Sequence, residues 1–131
     1  MITVMIVEDY ARLRALYEQL LATDPVIHCV GEASGGEEAL QLAGELRPDV
    51  LLLDISLPDA NGLDIARRLK AIRPCAHVVI LGEGDSEEYR AAAKAAGASA
   101  YLRKERTVEQ LVPLIHGITG QPMSQAGLEL S

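Results

Sequence analysis

Cysteine is scarce in this chain: Cys29 and Cys75 are the only two in 131 residues, and no CxxC spacing links them. Each sits in its own apolar stretch, which favours two buried thiols over a disulfide or a metal pair. Long hydrophobic runs are missing too. Nothing approaches the ~18 apolar residues of a membrane span, and no segment has the charged, apolar and small-residue order of a signal peptide. The expected location is therefore the cytoplasm, with no membrane contact. Positive charge is in deficit, with 12 Lys and Arg against 19 Asp and Glu for a formal charge of -7. Binding to a phosphate backbone needs a basic face, so direct nucleic-acid binding by this chain is not expected.

What is present is an alternation of short apolar runs with longer segments of helical period. Hydrophobic residues make up 49% of the chain and charged ones 24%, a balance that suits one globular domain folding alone. The runs 2–7, 26–31, 49–53, 77–81 and 98–103 read as strands, most of them apolar throughout, as covered parallel strands are. Five such units predict an α/β fold: a doubly wound five-stranded parallel sheet with helices on both faces.

The first helix is expected over 11–22, with Leu13, Leu16, Leu20 and Leu21 on one stripe and Thr23-Asp24-Pro25 as its stop. Capping boxes predict further helix starts at Ser34 with Glu37, Asn61 with Asp64, Asp85 with Glu88, and Thr107 with Gln110. Ala39, Leu40, Ala43 and Leu46 follow the first box at helical spacing, and Gly97 suits the C′ position of the fourth helix. Pro113 lies inside the last helical pattern, where a kink or an early end is expected. Residues 119–131 lose periodicity and gather Gly, Pro, Ser and Gln, which divides the chain into a domain at 1–118 and a tail or linker start at 119–131.

Two apolar strands end in acid. Val50-Leu51-Leu52-Leu53 runs into Asp54, and Ile2-Thr3-Val4-Met5-Ile6-Val7 runs into Glu8-Asp9. An unpaired charge is costly in a core, so such carboxylates are either solvated at the strand mouth or held for chemistry. In a doubly wound sheet the ligand crevice lies outside the carboxyl ends of the strands, at the switch point in strand order. With the order 2-1-3-4-5, Glu8, Asp9 and Asp54 share that crevice. Like charges ~4 Å apart repel by about 4 kcal/mol at an effective dielectric of ~20, so the cluster needs protons or a cation. Hard oxygen ligands select Mg²⁺ or Mn²⁺. Lys104, just past the fifth strand, is placed to pair a carboxylate or a phosphoryl group. His28, His77 and His116 are scattered over three elements, and ordinary surface or core roles suit them better than a metal site.

Val7-Glu8-Asp9, Leu51 to Pro58, Asn61-Gly62-Leu63 and Ala96 to Lys104 together resemble the receiver domain of bacterial two-component response regulators, the CheY-like receivers. The likeness covers residues 2 to about 118 and extends to Val30–Leu40 and Leu46–Val50, which look most like receivers that precede LuxR-type helix-turn-helix domains. The resemblance implies a flavodoxin-like fold and a phosphorelay role. Asp54 would be the phosphoacceptor, taking its phosphoryl group from a sensor histidine kinase or a phosphotransfer protein. Asp9, Asp54 and the backbone carbonyl of Ser56 would hold Mg²⁺, Glu8 would act mainly through water, and Lys104 would meet a phosphoryl oxygen. Tyr101 would be the aromatic switch that turns inward on activation. A homodimer through helix 4, strand 5 and helix 5 is a further implication, as is membership of a transcriptional regulator.

One position departs from the receiver pattern. Where receivers carry Thr or Ser after strand 4, this chain has Gly82, followed by Glu83. The missing hydroxyl would have bonded the phosphoryl group, a contact worth roughly 1.5–3 kcal/mol, and Glu83 adds negative charge beside the site. Weak or altered switching is expected. The competing reading is a pseudo-receiver that is never phosphorylated and works as a protein-interaction module. An aspartate-based phosphatase would want a second carboxylate where Ser56 stands, and a flavin-binding relative would not place Glu8-Asp9-Tyr10 after strand 1.

Overall fold

The computed structural model describes residues 1–84 and 86–120. Its strands are β1 (Ile2–Val7), β2 (Ile27–Ala33), β3 (Val50–Asp54), β4 (His77–Gly82) and β5 (Ala100–Arg103). They form one parallel sheet in the order β2-β1-β3-β4-β5. The helices are α1 (Ala11–Ala22), α2 (Gly36–Leu46), α3 (Gly62–Ile72), α4 (Glu87–Ala95) and α5 (Thr107–Thr119), with a 3-10 turn at Lys104–Arg106. None of the described helices is long and apolar enough to cross a membrane.

The fully apolar strands follow from coverage on both faces. Successive side chains alternate between faces, so Val4 and Ile6 pack with Tyr17, Leu21, Leu111 and Ile115 of α1 and α5, whereas Met5 and Val7 pack with residues of α2, α3 and α4. The first strand is the one expected, residue for residue. β2 runs two residues further than expected, and its pairing skips a residue: Val4 lies opposite Cys29 and Met5 opposite Gly31. Val30 is the extra residue of this bulge and is left exposed. β3 takes in Asp54 as its last paired residue, opposite Leu81, while Asp49 stays outside and binds the backbone N–H and hydroxyl of Thr3.

Several helix starts differ from the capping boxes. α2 begins at Gly36 rather than after Ser34, because its free N–H groups are capped from another loop: Asp59 accepts from Gly36 N at 2.8 Å and Glu37 N at 3.3 Å. At α4 the cap is Ser86, which accepts from Tyr89 N; Asp85 lies outside the described residues. Thr107 is already helical and turns its hydroxyl back to the Lys104 carbonyl at 2.9 Å. Asn61 caps α3 as expected, through Leu63 N. α5 does not end early at Pro113. That proline is exposed, and the helix continues to Thr119 with Gly120 as a left-handed cap. Residues 121–131, most of the expected tail, lie outside the described residues. The cysteines are also not both buried: Cys75 is exposed and Cys29 half-buried, each as a free thiol.

α5 is tied to the loop that follows α1 by a buried pair that periodicity could not reveal. His116 Nε2 and Asp24 Oδ2 are 2.6 Å apart, and Asp24 Oδ1 accepts from Val26 N at 2.9 Å. Burial pushes the Asp24 carboxyl up, but the Val26 N–H and His116 outweigh it and hold the group below its ordinary value. Stability from this carboxylate is thus present above the ordinary aspartate range and lost as pH falls through and below it. Asp24→Asn is expected to cost about 1.5–3 kcal/mol at pH 7, with the deficit shrinking in urea melts toward pH 3. An equal deficit at both pH values would show that the charge is not what matters.

Candidate functional site

The parallel sheet carries its chemistry to one edge. Glu8 follows β1 and extends its ladder by bonding the Ala33 carbonyl, Asp54 closes β3, and Lys104 opens the turn after β5. Glu8 is 1% exposed and Asp54 2%, while Asp9 faces solvent. One carboxylate oxygen from each of these three lies within 4.8 Å of the others. Lys104 Nζ sits between the two buried acids, 3.1 Å from Glu8 Oε1 and 3.2 Å from Asp54 Oδ1. The bond from Thr107 to the Lys104 carbonyl fixes the turn that aims this lysine inward.

The remaining contacts hold each carboxylate in place. Ser56 N donates to Asp54 Oδ1 at 3.0 Å, Tyr10 N donates to Glu8 Oε2 at 3.3 Å, and Arg14 donates to the Glu8 backbone carbonyl at 2.8 Å. Burial pushes the Glu8 carboxyl up to about 7, the neighbouring Asp54 adds to the rise, and Lys104 opposes it. Burial works against the Lys104 ammonium, but Glu8 and Asp54 outweigh it and raise its pKa above the ordinary lysine value. The acids and the lysine thus form one electrostatic unit, and its charge balance turns on Glu8.

Tyr17 lies beside this unit and was not singled out from sequence. It is fully buried, its hydroxyl has no hydrogen-bond partner among the described residues, and burial together with the Glu8 and Asp54 charges raises its phenol above the ordinary range. The signal was available in the sequence, because Tyr17 stands four residues from both Leu13 and Leu21 on the apolar stripe.

A cavity of about 400 Å³ opens over Asp54 and gathers other expected residues: Ser56, Gly82, Glu83, Tyr101 and Lys104 line it with Asp54. Gly82 is the buried last residue of β4 and Glu83 is exposed. Tyr101 is already turned inward, 8% exposed, with its hydroxyl donating to the Gly84 carbonyl. The histidines are elsewhere, His77 against Ser99 and His116 against Asp24.

A sheet of order 2-1-3-4-5 with two acids, an aspartate and a lysine at its carboxyl edge defines a class, the receiver domains. The model of the response regulator receiver domain matches residues 4–116, and the chain belongs to that family. Among curated relatives it is 35% identical over 114 residues to the nitrate/nitrite response regulator protein NarL of Escherichia coli (strain K12), covering 87% of this chain and 53% of that protein. It is 38% identical over 105 residues to the DNA-binding transcriptional activator DevR/DosR of Mycobacterium tuberculosis, covering 80% of this chain and 48% of that one. The chain therefore spans about half the length of these relatives. Its fold is similar to a LuxR-family two-component response regulator from Aurantimonas sp. SI85-9A1, with TM-score 0.86, 28% identity, and coverage of 92% of this chain and 86% of that one. The response regulator domain of Thermotoga maritima CheB superposes with TM-score 0.80 at 27% identity, covering 92% and 95%. Receivers of this family are signalling modules rather than enzymes, bind Mg²⁺ at an acidic pocket, and interact with histidine kinases or other phosphodonors.

Proposed function

We propose that this chain is a receiver that accepts a phosphoryl group on Asp54 from a histidine kinase or phosphotransfer protein, in the cytoplasm and as part of a transcriptional regulator. The observation that carries this reading is Asp54 itself: a carboxylate 2% exposed at the end of β3, held through Oδ1 by Ser56 N and Lys104, beside two further acids. Those contacts fall on Oδ1 and leave Oδ2 as the attacking oxygen. Its lone pair forms the new O–P bond while the P–N bond of the donor phosphohistidine breaks and its electrons return to the imidazole.

The donor set fits a hard divalent cation, since every available ligand is an oxygen and two of the three acids are buried together. Asp9, Asp54 and the Ser56 carbonyl would hold Mg²⁺ (or Mn²⁺), with Glu8 acting through water. When bound, the ion neutralises charge on the phosphoryl oxygens. Lys104 then leaves the carboxylates to meet a phosphoryl oxygen, and the Glu83 backbone N–H donates where the Gly82 position offers no hydroxyl. The cycle closes by self-hydrolysis of the acyl phosphate. The domain would occupy 1–118, with residues 119–131 as a C-terminal tail or the start of a linker. Homodimerisation would use α4, β5 and α5.

Incubation with a small phosphodonor and Mg²⁺, followed by intact-mass measurement, tests the reading. One phosphate is expected on the wild-type chain and none on Asp54→Ala. An unmodified wild-type chain with every donor would instead favour the interaction-module reading, for which the cleft of about 680 Å³ between α4, β5 and α5 is the candidate surface.

A further inference from the structure

We infer that Gly82 gives Tyr101 a permanent seat, so that the inward position of this ring is the resting state of the chain and does not depend on phosphorylation. The inference rests on the receiver reading above. A Cβ built at Gly82 would lie 3.0 Å from Tyr101 Cε2 and Cζ, and nearer still to the hydroxyl. With the ring as it lies, a side chain at position 82 would need the phenol to shift. The absent side chain therefore removes the hydroxyl expected at this position and also makes room for the ring that such a hydroxyl would control.

Independent contacts keep the ring there. Its hydroxyl donates to the Gly84 carbonyl, Tyr89 stacks parallel to it with centroids 6.3 Å apart and planes 5° from one another, and the Arg90 guanidinium lies 5.5 Å from its centroid. Gly84 plays the same part for the second ring: a Cβ there would come within 2.5 Å of Tyr89 Cε2. The Gly82-Glu83-Gly84 turn thus cradles two stacked tyrosines, each against a missing side chain. A ligand shifts an equilibrium only by its differential affinity for the two states. A phosphoryl group on Asp54 meets no side-chain hydroxyl at Gly82 through which to favour one Tyr101 position.

Fluorotyrosine labelling with ¹⁹F NMR, assigned by Tyr101→Phe, reads the ring directly, and nitration by tetranitromethane reads its accessibility. Beryllofluoride with Mg²⁺ serves as the acyl-phosphate mimic, its own ¹⁹F signal reporting the adduct. In the wild-type chain the Tyr101 resonance is expected to be solvent-protected and unchanged by the adduct. Gly82→Ala and Gly82→Thr both carry the displacing Cβ, so either suffices if the other does not fold. Either should raise nitration of Tyr101 on the order of 10-fold, as an outward state goes from minor to dominant. An exposed Tyr101 in the free wild-type chain, or a resonance that moves inward on adduct formation, overturns the inference. If no adduct forms, the receiver reading fails, while protection in the wild type and its loss in the alanine variant still decide the seat.

Discussion

Replacing Lys104 by methionine should lower the unfolding free energy by about 3 kcal/mol at pH 8 and by much less at pH 5. Methionine keeps the reach of the side chain but leaves Glu8 and Asp54 facing each other with no countercharge, both nearly inaccessible to solvent. Two carboxylates in that position relieve their repulsion by keeping a proton, and Glu8 already leans that way, its pKa raised from 4.5 to about 7. Between those values the folded chain binds more protons than the unfolded one. Stability of the wild type therefore falls as pH rises through that window, by an amount on the order of 3 kcal/mol. Loss of Lys104 removes the countercharge that opposes the rise, so the variant keeps losing stability above pH 7 where the wild type has levelled off. Urea melts at pH 5 and 8 check this, and Mg²⁺ should restore more stability at pH 8 than at pH 5 in both proteins. A deficit equal at the two pH values would mean that Lys104 acts only through packing.

The residues of that electrostatic unit were readable from sequence because each breaks a pattern. Asp54 ends a run of four apolar residues, Glu8 and Asp9 end another, and Lys104 follows the last strand. Apolar runs of strand length also gave β1 its exact ends, since both of its faces are covered. What escaped depends on partners distant in sequence. Asp59 caps α2 from 23 residues away, displacing the start that Ser34 suggested, and the Asp24–His116 pair spans 92 residues. Gly82 is the instructive intermediate. As a letter it signalled a missing hydroxyl; in three dimensions it is also a space, and only the fold shows which ring fills it.

A second glycine carries the largest packing demand near the site. A Cβ at Gly62 would lie 2.5 Å from the Asp54 carbonyl oxygen, 2.6 Å from Ile55 Cα and 2.7 Å from the Ile55 carbonyl oxygen. All three are backbone atoms, so no flexible side chain can yield. Gly62 N also donates to that Ile55 carbonyl at 2.9 Å, which pins the first turn of α3 against the end of β3. Gly62→Ala must push the helix away from the strand, and α3 anchors Ile65, Ala66 and Leu69 in the core. Overpacking costs typically 1–3 kcal/mol, and contact with fixed backbone places this case at the upper end, about 3 kcal/mol. The melting temperature is then expected to fall by about 10 °C. The strain lands on the residue that would attack phosphorus, and a displacement of ~1 Å there costs about 100-fold in rate, so phosphorylation should slow even in the folded fraction. Gly44→Ala is the control: it lies within α2 with nothing inside 4 Å of its Cβ, and should stabilise by roughly 0.5–1 kcal/mol through helix propensity alone. A Gly62→Ala chain that melts with Gly44→Ala and accepts phosphate at the wild-type rate would show that β3 and α3 are not locked through this contact.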